Sequence, residues 1–271
     1  MHGEKGNRIK FVYNEPALLI GSGRSKTLVI GDLHIGVEQK LKGKGVHLYQ
    51  FASRMAQKVS LLLKEFKAKR LILLGDIKES ILYPEEIEAK AIRQFFSELS
   101  QYEIRIAGGN HDSHLSEIAG INTESEIFQG DFALLHGHAM PSSEAMSKRY
   151  IISAHNHIAI SIKDRKGGVY YSKAWLVSGA GEGAPRLYPN YNKEIKLVSM
   201  PAFNDLITGT DASRFSSKEN LSPLFRNKIF NYEGAEVYLL SGEFVGSVSY
   251  LSSKGGRTSN ALPKRGKRQP S

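Results

Sequence analysis

Residues 28–36 read LVIGDLHIG: an apolar run stops at Gly31, and a carboxylate and an imidazole, Asp32 and His34, follow two residues apart. The event recurs. RLILLGD ends on Gly75-Asp76, EIRIAGGNHD on Gly109-Asn110-His111-Asp112, FALLHGH on His136-Gly137-His138 and YIISAHNH on His155-Asn156-His157. Six of the nine histidines fall in these motifs, and a small residue before most of them lets the backbone turn sharply. Singly, each motif has a plain reading; Gly-Asp after a strand is a common turn or helix cap. Together they would place much polarity beside a core, where each unpaired polar group costs about 1–3 kcal/mol. With only nitrogen and oxygen donors, a divalent metal ion is the natural compensation. His155-x-His157 on one strand would turn both rings to one face, since a strand repeats every two residues. The number of donors suggests two ions. One could take Asp32, His34 and His157, and the other Asn110, His136 and His155. A shared carboxylate, suited to Asp76, would hold the ions about 3.5–4 Å apart. His111 and His138 are left over.

The elements that must deliver these side chains are legible in outline. IKFVY, PALLI and KTLVI (residues 9–30) read as strands joined by turns. GSGRSKT between the last two lacks the glycine directly before Lys-Thr and precedes a strand, so it reads as a hairpin turn and not as a P-loop. Residues 48–68 and 84–99 have helical periodicity, the second with Pro84 and two glutamates in its first turn. Strands at 70–74 and 102–107 alternate with them, which argues for parallel strands covered by helices. In such sheets ligands bind at the carboxyl ends of the strands. After residue 121 short strands follow with few helices: 132–135, 150–153, 158–162, 168–171, 174–179 and 195–200, then a final hairpin over 235–251 around SGE. One α/β domain with two sheets over residues 1–251 fits this texture.

Composition narrows the setting. The 271 residues are 41% hydrophobic and 24% charged, an ordinary globular balance. Without cysteine, disulfides and thiolate metal sites are excluded, and a reducing cytoplasm is the expected location. The longest apolar runs are too short for a membrane span, and the N-terminus shows no secretory signal. The net charge is +10, and residues 252–271 hold six basic groups and no acid. That segment reads as a disordered basic tail, which either solubilises the chain or adds counterion-release affinity for nucleic acid.

The motif set resembles the calcineurin-like metallophosphoesterases, whose D-x-H, GD, GNH-D/E, lone His and GH-x-H pattern appears here as Asp32-Leu33-His34, Gly75-Asp76, Gly109-Asn110-His111-Asp112, His136-Gly137 and Ala154-His155-Asn156-His157. Ala154 replaces the usual glycine and removes no donor. GDLHIG, GDIK, LLHGH and PAFNDLITG (201–209) are also similar to an archaeal branch related to the SbcD-type DNA-repair nucleases and to the bacterial ligase-associated DNA-damage endonucleases. The resemblance implies a four-layer α/β/β/α sandwich with two mixed sheets and a two-metal site. Manganese is the expected metal, with iron, zinc or nickel as alternatives.

The expected chemistry is hydrolysis of a phosphoester. Two cations generate hydroxide from a bridging water, the hydroxide attacks phosphorus in line, and the metals neutralise charge on the other oxygens. His111 is placed to protonate the leaving oxygen. Asp112 either orients His111 or caps a loop. Lys78 either reaches a phosphate or faces solvent at a helix start. His138 is a candidate to hold a ligand in position, and Asn204 is noted only as family-like. The basic balance and the SbcD-like motifs favour a phosphodiester of DNA or RNA as substrate. A small-molecule phosphodiesterase or phosphatase, acting for example on cyclic nucleotides, is the second reading, and a catalytically silent interaction module the third. No membrane partner is expected; a protein partner and the oligomeric state, a dimer included, stay open.

Overall fold

A computed structural model describes residues 8–22, 25–41, 48–163, 168–214 and 222–253. The first sheet is laid down in sequence order: β1 (Ile9–Phe11), β2 (Leu18–Ile20), β3 (Thr27–Ile30), β4 (Arg70–Leu73), β5 (Glu103–Ala107) and β6 (Thr123–Glu124). β1 to β3 form an antiparallel meander, and β3 to β6 run parallel. The helices α1 (Leu48–Phe66), α2 (Glu86–Glu98) and α3 (Leu115–Ala119) make the crossovers that parallel strands require. The apolar positions of α1, Ala52, Met55, Ala56, Val59, Leu62 and Leu63, keep three- and four-residue spacing, and all are buried. The helix stops where Lys67 turns left-handed (φ +54°) and Ala68 N–H reaches back 2.9 Å to the Leu63 carbonyl, a Schellman ending.

The second sheet comprises β7 (Ile127–Gln129), β8 (Phe132–Leu135), β9 (Tyr150–Ser153), β10 (Ile158–Lys163), β11 (Val169–Gly179), β12 (Lys196–Ser199), β13 (Thr210–Asp211), β14 (Glu236–Leu239) and β15 (Phe244–Ser247). The main path runs β13-β10-β11-β12-β9-β8-β7, with the β14–β15 hairpin attached to β11. β8, β9 and β12 are mutually parallel, as are β10 and β13, and the remaining pairs are antiparallel, so this sheet too is mixed. Short helices α4 (Ser143–Ser147), α5 (Ala184–Leu187), α6 (Pro223–Arg226) and α7 (Val248–Ser253) accompany it.

Alternation along the strands stacks these parts into four layers. In β3 and β4, Leu28, Ile30, Leu71 and Leu73 face the core under α1 and α2, whereas Val29 and Ile72 face the second sheet. From that sheet Phe132, Leu134, Ile152, Trp175 and Val198 meet them. Its opposite face, Ala133, Leu135, Ile151, Leu176 and Leu197, packs on Met146, Leu224 and Phe225 of the short helices. The expected α/β/β/α order with two mixed sheets is therefore present. No helix among the described residues is long and apolar enough to cross a membrane.

Several expectations change in detail. Residues 168–171 and 174–179 belong to one strand, β11, whose first half pairs with β10 and whose second half lies between β12 and β14. The last turn of the expected final hairpin is helical: Val248 and Leu251, three apart, are both buried against the second core. GSGRSKT does join an antiparallel pair, β2 and β3; residues 23–24 of that turn lie outside the described residues, as do residues 254–271 of the basic tail.

Candidate metal centre

The carboxyl ends of β3, β4 and β5 in one sheet and of β8 and β9 in the other open on the same side, and each chain leaves its strand through a sharp turn. Nine non-glycine residues among those described have positive φ, and five of them are Asp32 (55°), His34 (41°), Asp76 (49°), His155 (71°) and His157 (44°). That backbone region is costly for residues with a Cβ and persists only where the surroundings over-determine it. Here the surroundings are mutual. Both Asp32 oxygens accept the His155 N–H, at 3.2 and 3.1 Å, and Asp76 Oδ1 accepts the His111 N–H at 3.0 Å. Two glycines permit the approach. A Cβ on Gly75 (φ +68°) would lie 2.6 Å from both Gly109 N and His136 Nδ1, and one on Gly109 would overlap the Asp76 carboxylate. The departure at Ala154 is accommodated because its methyl packs over Gly31, where a Cβ would come within 2.7 Å of it.

These turns bring the predicted donors into two groups that share Asp76. Asp32, His34, Asp76 and His157 form one, and Asp76, His136 and His155 the other; within each, the candidate ligand atoms lie within 4.8 Å of one another. His157 Nε2 is 3.5 Å from Asp32 Oδ1, His34 Nε2 3.6 Å from Asp76 Oδ2, and His136 Nε2 3.3 Å from the same Asp76 oxygen. Two imidazole pairs meet nitrogen to nitrogen, His34 Nε2 with His157 Nε2 and His136 Nε2 with His155 Nδ1, each at 3.1 Å.

Electrostatics explains how such contacts stand. Burial pushes the Asp32 carboxyl up, but the charge and hydrogen bond of His157, with His136 behind them, outweigh it and hold it below the carboxylate range. For Asp76, burial is likewise outweighed, by the His136 hydrogen bond and charge. Burial pulls His136 down, yet Asp76 and Asp32 lift it to about 9, and Asp32 lifts His157 against the same penalty. Their ring partners go the other way: burial lowers His34, and burial with the His136 charge brings His155 to about 4. Each nitrogen-to-nitrogen contact thus joins an imidazole whose pKa is raised to one whose pKa is lowered, beside a carboxylate. Carboxylates and ring nitrogens thus converge at points where positive charge is favoured, and a divalent cation fits the same donors with release of any proton they hold. Imidazole and carboxylate donors of this kind suit manganese, iron, zinc or nickel.

The remaining predicted residues fall in different places. His155 and His157 do not lie on a strand; both follow β9 in left-handed turns, and their rings enter different groups. Asn110 is exposed, between Gly109 and His111. His111 Nδ1 donates to the Glu79 carbonyl at 2.6 Å, and its ring lies edge-on to His34, centroids 5.1 Å apart. Asp112 does not orient His111. Its two oxygens accept the N–H groups of Ile77 (2.8 Å) and Gly109 (2.7 Å), stapling the Asp76 turn to the Gly109 turn. Lys78 neither faces solvent nor is free for a phosphate. It is fully buried, and its ammonium donates to the carbonyls of Ser80, Ile81 (3.3 Å) and Leu82 (2.7 Å), which engages all three of its donors. His138 is exposed and lays its ring 5.3 Å from His136 and 6.3 Å from His155, centroid to centroid. Asn204 is buried; its Nδ2 donates to the Leu33 carbonyl (2.7 Å) and its Oδ1 accepts Leu206 N–H (2.8 Å). It clamps the turn between Asp32 and His34, and Lys173 in turn donates to the carbonyls of Ala202 and Asn204, both at 2.7 Å.

Glu79 is the residue the motifs did not disclose. Its carboxylate accepts His34 Nδ1–H at 2.9 Å and pairs with Lys40, while its carbonyl holds His111. With His34 and His111 it forms a third group of converging donors. The only signal was its position three residues after Asp76 in GDIKE.

No protein-family model matches the chain, and no curated protein matches it. Among solved structures, a nuclease of Pseudomonas putida, nuclease MPE, aligns over 87% of this chain and 98% of its own at 15% identity, with a TM-score of 0.49. The E. coli phosphoesterase YfcE aligns over 81% and 96% at 12% identity and a TM-score of 0.37. A conserved protein of Streptococcus pneumoniae TIGR4 described as a predicted phosphoesterase aligns over 83% and 94% at 8% identity and a TM-score of 0.33.

Proposed function

We propose that the protein is a divalent-metal-dependent phosphoesterase that hydrolyses phosphodiester bonds in nucleic acid. The observation that carries this reading is the pair of donor groups sharing Asp76, with His111 fixed at their edge. Asp32, His34, Asp76 and His157 would hold one ion and Asp76, His136 and His155 the other, with the Asn110 amide completing the second. Bound there, two such cations, manganese in the first instance, lower the pKa of a water and draw charge from the phosphoryl oxygens.

The chain supplies orientation and a proton. Backbone N–H groups fix both carboxylates, and His136 Nδ1 donates to the Leu74 carbonyl at 2.8 Å, which leaves Nε2 facing Asp76. His111 is held in the same way through Nδ1, so its Nε2 is the nitrogen that carries a proton to the leaving oxygen. The +10 charge supports a polyanionic substrate.

The test is metal-reconstituted activity on single- and double-stranded DNA, RNA, cyclic nucleotides and a generic aryl phosphodiester, with metal content measured on the same samples. The expected result is about two ions per chain and nucleic-acid cleavage whose KM rises steeply with salt. Turnover of cyclic nucleotides with no salt dependence would move the assignment to a small-molecule phosphodiesterase. Full metal loading with no turnover on any substrate would end the enzymatic reading.

A further inference from the structure

Between Asp76 and α2 the chain makes a loop whose base and tip are built on opposite principles. The base is buried and fully bonded. Lys78 donates to the carbonyls of residues 80, 81 and 82. Glu88, also buried, accepts the N–H groups of Glu79 and Ser80, each at 3.0 Å, and the Ser80 hydroxyl. Ser113 Oγ donates to the Ile81 carbonyl at 2.6 Å. Burying two charged side chains is costly and is tolerated only where each is fully hydrogen-bonded. The tip, by contrast, presents three consecutive large apolar residues to solvent: Ile81, Leu82 and Tyr83 are 59%, 80% and 61% exposed. Tyr83 meets only the edge of the His114 ring, at 5.6 Å between centroids, among the ring contacts of the described residues.

The loop stands beside His111. It leaves from the shared donor Asp76, passes Glu79, whose carbonyl holds His111, and is tied back at Ser113. With His111 in the acid role proposed above, the loop flanks the side on which the leaving oxygen would depart. We propose that Ile81, Leu82 and Tyr83 form a platform for the base of the single nucleoside that leaves with that oxygen. The proposal rests on the phosphoesterase reading above. Two observations and one general property of bases select this occupant. The patch is three side chains wide, enough for one base and far short of the roughly 800 Å² per partner of a stable protein interface. Every base has an apolar face that an aromatic or aliphatic side chain can cover. The surface just beyond carries the exposed Glu85, with Glu86 paired to Arg93 and Glu117 to His114, and so, among the described residues, offers no unpaired cluster of cations on which a phosphate backbone would continue. A rigid base fits this use, because a pre-ordered contact loses little entropy on binding.

The experiment uses the manganese-loaded protein and three dinucleoside monophosphates: the intact compound and two abasic versions, one lacking each base. Wild-type kcat/KM is expected to fall roughly 10- to 100-fold on losing one particular base and little on losing the other. In the Leu82→Ser/Tyr83→Ser variant, kcat/KM on the intact compound should drop to the wild-type value for that abasic compound. The loss should be confined to compounds that keep the base, Tyr83→Phe should retain most of the activity, and metal content and Tm should stay at wild-type values. Equal losses on all three compounds, or none on the intact one, would overturn the proposal. So would a wild-type dimer that the double variant dissociates, which would give the loop to a second copy of the chain. If wild type cleaves an aryl phosphodiester but ignores both bases, the loop alone is refuted. If the loaded protein cleaves none of these compounds and no DNA or RNA either, the phosphoesterase reading falls and the platform with it; cleavage of the polymers but not of the intact dinucleotide refutes the platform alone.

Discussion

The two donor groups meet at Asp76 but are supported by different kinds of partner. In the group with His155, His136 is buried between the sheets and its Nδ1 is tied to a main-chain carbonyl, Leu74. In the group with His157, His34 is held by a side chain, the carboxylate of Glu79, which is itself paired with Lys40. A main-chain partner cannot be removed by substitution, whereas a carboxylate partner can, and its charge raises the basicity of the ring it holds. The first group is therefore fixed by the fold, and the second is open to tuning by one residue outside the donor set.

Four substitutions would break or sharpen this contrast. Asp76→Ala should act on both groups at once. Metal content should fall from about two ions per chain to below one, and activity should fall to background, beyond the roughly 10²–10⁴-fold contribution of a general acid; elemental analysis alongside turnover checks both. His111→Ala should keep both ions and slow cleavage of unactivated phosphodiesters about 10²–10⁴-fold, with a much smaller loss on an aryl phosphodiester whose leaving group needs no proton. Equal losses on the two substrates would remove His111 from that role. Glu79→Gln isolates the difference between the groups. It keeps the carbonyl that holds His111 and weakens the support of His34, losing besides only the pairing with the exposed Lys40, so calorimetric titration should show one metal site weakened about 10- to 100-fold and the other unchanged. With saturating metal, kcat should stay near wild type; a large kcat loss there would mean that Glu79 acts on the reaction directly. Asn204→Ala should have the smallest effect, about 1–2 kcal/mol of folding stability from two lost hydrogen bonds, read by denaturant unfolding.

What the sequence discloses divides along the same physical line. Asp32, His34, Asp76, His136, His155 and His157 stand out because each follows an apolar strand directly, and short-range order carries them to the strand ends. The layering is legible for the same reason, since strand alternation and helical spacing are local patterns. The left-handed backbone of five donors is not legible, because aspartate and histidine do not announce positive φ as glycine does; long-range bonds such as Asp32 to His155 N–H impose it. Asp112, Lys78 and Asn204 look like chemistry in the sequence and prove to be fasteners of turns, because their partners are main-chain groups as far away as residue 33 is from residue 204. Glu79 was hidden for the opposite reason: its partners are the motif residues themselves, and nothing marks a lone glutamate as theirs.

The origin of the donors has a mechanical consequence. Asp32 and Asp76 come from the first sheet, and His136, His155 and His157 from the second, which otherwise meets the first through apolar packing and scattered hydrogen bonds such as Thr27 with Gln129. Any cation seated among these side chains acts as a clasp between the two halves of the sandwich, so emptying the cup should loosen the molecule along that seam before it loosens anywhere else.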